Sequence, residues 1–359
     1  MDPKNEPIAL PVDIIRTVAI VMVILLHAAI EPTPNIDIMS PQGIQVWLAS
    51  DVYNSIARVA VPLFVMLTGA LILQPNKVDE PLRVFFKKRW NRIGIPILFW
   101  GVAYFAWDFF VRGYALTSTF ILQGVLAGPY FHFWYLYILV GLYLITPLLR
   151  VVVAHADWRL IKYFLVIWFI GSGIIPLLAL YASISPQIVW FRQNIFLFTG
   201  LLGYFILGAY ITKFQLRKSI LGIMLFLSSI FTIMGTYFLV ATLGEQYGQV
   251  FLDASSFSVI IASVALFLML ASISTKTVEN RFPRGNHLLN LISLNTLPIY
   301  FLHIIILETL QKGYLGFKIS VTTMNPVIEI PLITTLTLLI CIAIIVPLKK
   351  VPYLNRIIG

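Results

Sequence analysis

The chain is 359 residues long, 59% hydrophobic and only 11% charged, and its mean hydropathy of +0.91 places it outside the range of soluble domains. The formal net charge of +10 does not signal a nucleic-acid partner, because the 25 Lys and Arg form no single patch. One cysteine, Cys341, lies in the last apolar run and excludes an internal disulfide.

A membrane span needs roughly 20 mostly apolar residues. Such runs occur near 12–30, 52–73, 93–111, 133–153, 160–181, 195–212, 219–241, 256–273, 291–310 and 328–348. Barrel strands would be short and alternating, whereas a helix satisfies its own backbone hydrogen bonds in lipid. The predicted fold is therefore all-α: a polytopic integral protein of the cell membrane with about ten transmembrane helices. It forms one domain over residues 1–359, with no fused soluble domain. The first run is not a cleaved signal sequence, since Asp13 and Arg16 interrupt its start and His27 falls where a signal would be uniformly apolar. The connection 31–50 holds Pro32, Pro34 and Pro41 but no Lys or Arg, and reads as an outer loop.

Basic residues near spans stay on the cytoplasmic side. With both ends of the chain inside, 19 of the 25 Lys and Arg lie in cytoplasmic segments, and only Arg112, Arg192, Lys312 and Lys318 lie outside. The remaining two, Arg16 and Arg58, fall within spans. Adding or removing a span would scramble this asymmetry.

Ionisable groups inside a span are costly and mark candidates for function, or for polar contacts between helices. Arg16 and His27 are 11 residues apart, which at 100° per residue puts them on one face of the first helix about 16 Å apart along its axis. Asp13, one turn before Arg16, is placed to pair with it. Arg58 lies roughly 10 Å below the outer surface on the second helix, at the depth of His27, and His132 and His303 fall in the same outer half. No His, Asp or Glu cluster has metal-ligand spacing, and no phosphate-binding Gly-rich loop or nucleophile turn occurs.

The segment Val12-Asp13-Ile14-Ile15-Arg16 through His27 resembles the signature of the membrane-bound acyltransferase family 3, an Arg, ten residues and a His on the first helix. Arg58-Val-Ala-Val-Pro62-Leu-Phe64, continuing to Thr68-Gly69, is similar to the family's second helix, with Thr68 where Ser is usual. Arg89-Trp-Asn-Arg92 resembles its basic Arg-x-x-Arg motif. His132-Phe-Trp134-Tyr-Leu-Tyr137, with Tyr143 and Pro147, resembles the fourth helix of the polysaccharide O-acetyltransferase branch. Ile299-Tyr300-Phe-Leu-His303 resembles the family's tyrosine and histidine near the end. No SGNH-type hydrolase domain follows, unlike in some relatives.

The resemblance implies transfer of an acyl group, commonly acetyl, from cytoplasmic acyl-coenzyme A to a hydroxyl or amine of a cell-envelope carbohydrate or lipid-linked sugar, with no bound cofactor. It puts donor phosphates on Arg89, Arg92 and Lys88, where a purely topological role for the basic cluster is the competing reading. Arg16 marks the path to His27, which is then the general base or the carrier of an acyl-imidazole, with Arg58 at the oxyanion or the acceptor. Trp134, Tyr137, His132, Tyr300 and His303 are acceptor contacts or packing groups. The rival class is a carrier or flippase for a lipid-linked glycan or small molecule, which would also need ten spans and buried charge.

Overall fold

The computed structural model describes residues 10–30, 40–176, 200–320 and 323–359, and every regular element among them is helical. The α-helices are α1 (Val12–Ile30), α2 (Pro41–Ala57), α3 (Ala60–Ile72), α4 (Leu82–Arg89), α5 (Ile95–Phe110), α6 (Ser118–Ala127), α7 (Trp134–His155), α8 (Trp158–Phe169) and α9 (Gly200–Tyr210). They continue with α10 (Lys218–Leu243), the short α11 (Gln249–Leu252), α12 (Phe257–Ala271), α13 (Thr275–Arg281), α14 (Pro283–Leu294), α15 (Thr296–Lys312), α16 (Pro326–Leu348) and α17 (Pro352–Ile357). Among the described residues seven helices are long and apolar enough to cross a membrane, or eight if the bent pair α14–α15 is one span. The runs 160–181 and 195–212 both extend into residues outside the described set, and their described parts, in α8 and α9, are helical.

Two boundaries differ from the sequence reading. The stretch 31–50 is not loop throughout, because helix begins at Pro41. Ser40 caps it by accepting a hydrogen bond from the Gly43 amide at 3.0 Å, and Pro41 occupies the first turn, where no amide donor is needed. The ninth run is broken at Asn295, so that α14 lies at 80° to α15 and the apolar helix begins at Thr296 rather than near 291.

Proline accompanies four of the breaks and widened turns, although Pro147, Pro331 and Pro347 sit within continuous helices. Pro62 lacks the amide that would bond the Arg58 carbonyl, and the chain turns at Arg58–Val59 between α2 and α3. Pro96 stands in the same relation to Arg92, which lies in the widened π-type turn Trp90–Gly94. Pro298 does so for Leu294 at the α14–α15 bend, and Pro176 for Ser172 in the widened turn Ile170–Ile174. Two of these four breaks carry an arginine singled out above.

Helix α1 is the hub, packed against α2, α3, α14, α15 and α16. Its buried Ile15, Ala19, Ile20, Val23, Ile24, Ala28 and Ala29 belong to one continuous apolar core. Helices α3 and α9 touch through backbone: a Cβ on Gly69 would overlap the Phe205 carbonyl, and one on Gly208 the Met66 carbonyl. Small residues allow such approach in lipid, where packing rather than water exclusion joins helices.

Candidate active site

Two chambers lie one beyond the other along α1, α3 and α15. The first, about 450 Å³, is lined by Arg16 on α1, Thr68 on α3, Arg89 and Arg92 at the α4–α5 junction, Tyr135 and Tyr143 on α7, and Thr296 and Tyr300 on α15. The second, about 760 Å³, is lined by His27 at the other end of α1, Arg58 before α3, Phe131, Trp134, Asp253, and Tyr300, Glu308, Gln311 and Lys312 along α15. Tyr300 lines both. The one-face spacing of Arg16 and His27 thus sets one residue in each chamber.

In the basic chamber the Arg89 guanidinium lies over the Phe85 and Tyr143 rings, 5.1 and 5.3 Å from their centroids. These aromatic faces hold the cation without neutralising it, as a carboxylate would. Lys88, the third expected donor contact, does not line this chamber. It is exposed, and its ammonium pairs with Glu80 at 2.7 Å. Asp13 does not pair with Arg16; its carboxylate accepts from the Ser293 hydroxyl at 2.6 Å and ties α1 to α14.

Three histidines gather beside the larger chamber, of which His27 lines it and His303 and His132 are fully buried behind it. The ring centroids of His27 and His303 are 5.2 Å apart, and those of His303 and His132 5.5 Å. His303 Nδ1 is 2.6 Å from the Tyr300 carbonyl. A carbonyl only accepts, so Nδ1 carries the proton and Nε2, buried without a hydrogen-bond partner, keeps its lone pair. His132 is fully buried behind the chamber wall, and its carbonyl accepts the Tyr300 hydroxyl at 2.5 Å. Tyr137 is turned away, its hydroxyl donating to the Val125 carbonyl at 2.8 Å and holding α6 against α7.

Several lining residues went unread in the sequence. Glu308 accepts hydrogen bonds from Tyr130, from Trp107 at 2.9 Å and from Lys312 at 2.9 Å, so it anchors the segment that carries Phe131 and His132. A signal existed: Tyr300, Ile304, Leu307, Glu308 and Gln311 recur at helical spacing on the face that begins with the recognisable tyrosine. Asp253 carried no such signal, since it approaches from the α11–α12 connection.

Among the described residues no three His, Cys, Asp or Glu side chains are grouped to hold a metal. The arrangement offers a polarisable imidazole, a nearby guanidinium and a basic chamber joined to it through one tyrosine. No curated protein and no solved structure matches the chain. A family model described as an acyltransferase domain matches residues 11–346, nearly its whole length, and with the apolar helices and the five motifs placed around two adjoining chambers, the chain belongs to acyltransferase family 3 and is a membrane acyltransferase.

Proposed function

We propose that the protein transfers an acyl group, acetyl by family resemblance, from cytoplasmic acyl-coenzyme A to a hydroxyl of a cell-envelope carbohydrate or lipid-linked sugar. The reading includes ten spans, both ends of the chain in the cytoplasm and a place in the plasma membrane. The observation that carries it is the pair of chambers sharing Tyr300: a basic one at the Arg89 and Arg92 end, and a mixed polar and aromatic one around His27. Donor phosphates bind Arg16, Arg89 and Arg92. The pantetheine arm passes Tyr300, and about 16 Å of α1 spans the distance from Arg16 to His27.

In the transfer step the acceptor oxygen attacks the thioester carbonyl carbon and its proton passes to His27. The carbon–sulfur bond breaks, and coenzyme A leaves as the thiolate and takes up a proton. Arg58 faces the developing oxyanion. His303, its Nδ1 proton held by the Tyr300 carbonyl, packs its ring against that of His27 with centroids 5.2 Å apart and limits how the base can turn. Phe131 and Trp134 offer faces to an acceptor ring.

The test is coenzyme A release by purified protein in the presence of acyl-coenzyme A and envelope glycans. His27→Ala at undiminished membrane level lowers turnover at least about 100-fold. Retained turnover in that variant sinks the assignment of His27, and glycan movement without coenzyme A release favours the carrier reading.

A further inference from the structure

A third cavity, about 140 Å³, lies between α2, α10 and the segment Glu245–Leu252. Helix α2 presents Trp47, Asp51 and Asn54 to it at spacings of four and three, one face of a helix, and α10 presents Thr236 and Val240. Its deep oxygens lack partners. Asp51 is 4% exposed, Asn54 8% and Thr236 2%, yet Asp51 Oδ2, Asn54 Oδ1 and Thr236 Oγ1 have no hydrogen-bond partner. The other Asp51 oxygen accepts, among the described residues, the Ser55 hydroxyl at 3.3 Å.

A carboxylate in such a place is costly unless something neutralises it. The nearest cation on its own helix is Arg58, two turns further on and roughly 10 Å along the axis. No ion pair joins them among the described residues. Glu245 stands exposed at the mouth. The deep set is therefore one negative charge with neutral oxygens from an amide and a hydroxyl, and no imidazole or thiol lines the cavity. That is a donor set for a hard cation of single charge; a calcium ion takes six to eight oxygens and more than one carboxylate.

We propose that this cavity binds a sodium ion through Asp51, Asn54 and Thr236, with water completing its shell. The ion joins α2 to α10 and to the segment beyond it. Gln249 lines both this cavity and the His27 chamber, and Asp253, four residues on, faces Arg58's chamber. Sodium therefore steadies the wall of the acceptor chamber from behind, and its binding is read without any assay of acyl transfer.

The experiment is thermal unfolding of the purified full chain, with sodium chloride titrated against choline chloride at constant ionic strength. A ligand that binds only the folded state raises the melting temperature with its concentration. The wild type shows a saturable sodium-dependent rise. Asp51→Asn abolishes that rise while melting at or above the wild type in choline, because the uncompensated buried charge is gone. Thr236→Val and Asn54→Ala each shift the sodium midpoint upward at least about tenfold, which keeps the test available if Asp51→Asn fails to fold. Identical wild-type melting in sodium and choline overturns the proposal, as does a sodium response that survives in Thr236→Val and Asn54→Ala. Asp51→Asn melting lower than wild type in both salts also overturns it, since the carboxylate would then be paired with Arg58 instead.

Discussion

At the scale of single residues, arginines of one loop motif and a lysine beside them have the same charge but different surroundings. Arg89 is held between aromatic faces and Arg92 lines the chamber with Arg16, whereas Lys88 is engaged by Glu80 on the surface. A guanidinium forks onto phosphate oxygens, and an ammonium already paired outside the chamber gains nothing from the donor. Arg89→Gln and Arg92→Gln should each raise the KM for acyl-coenzyme A about tenfold with less change in kcat, and Lys88→Gln should leave KM within about twofold. Steady-state kinetics with varied donor checks this. Equal KM values in all three variants would return the whole cluster to a topological role. Spacing alone made Arg16 and His27 legible as a pair, but it could not separate Lys88 from Arg89. That distinction depends on Glu80, eight residues away across a turn.

At the scale of elements, the α3–α9 contact is the least tolerant packing site in the described structure. A methyl at Gly208 meets the Met66 carbonyl, which is backbone and cannot swing aside, whereas one at Gly222 on α10 meets nothing within 4 Å. Gly208→Ala should therefore separate two helices that both line the larger chamber and lower the melting temperature and the yield of folded protein. Gly222→Ala should be neutral or slightly stabilising, since alanine is favoured over glycine by roughly 1 kcal/mol in a helix. Comparing the two variants by thermal unfolding in detergent isolates packing from propensity. The end of α3 is fixed from another direction. Arg150, 2% exposed, donates to the Ile72 and Lys77 carbonyls at 3.0 and 3.1 Å and pairs with Glu80 at 2.9 Å. Hydrogen bonds from Lys88 first and then Arg150 hold the Glu80 carboxyl below its usual range. A depressed carboxylate stabilises the fold above its unfolded value, about 4.3, and that contribution is lost as pH falls through the lower folded value. Glu80→Gln should flatten the acid side of the melting-temperature profile; an unchanged profile would mean the pairing contributes nothing. Helix positions were legible from apolar runs, and the start of α2 was open to reading from Ser40-Pro41. Contacts such as Gly208 on Met66 were not, because they join segments more than a hundred residues apart.

At the scale of the whole molecule, the two chambers acquire a direction only when the membrane is supplied. The 74–92 connection carries six of the basic charges and lends Arg89 and Arg92 to the Arg16 chamber, whereas the 111–117 connection lies at the other end of α5. The proposed orientation, read from the asymmetry of Lys and Arg, has the first in the cytoplasm and the second outside. Cys341 is the sole cysteine and is fully buried, so the wild type offers almost no background to a thiol reagent. Lys87 and Ala115 are both exposed, and each can be replaced by cysteine without touching either chamber. On intact cells a membrane-impermeant maleimide should label Ala115→Cys and leave Lys87→Cys unlabelled until the membrane is opened with detergent. The reverse pattern would turn the molecule over and set the basic chamber away from cytoplasmic acyl-coenzyme A, and the donor path along α1 would fail with it. Equal labelling of both from outside would mean that 82–110 does not cross the bilayer, since these two positions sit at its opposite ends.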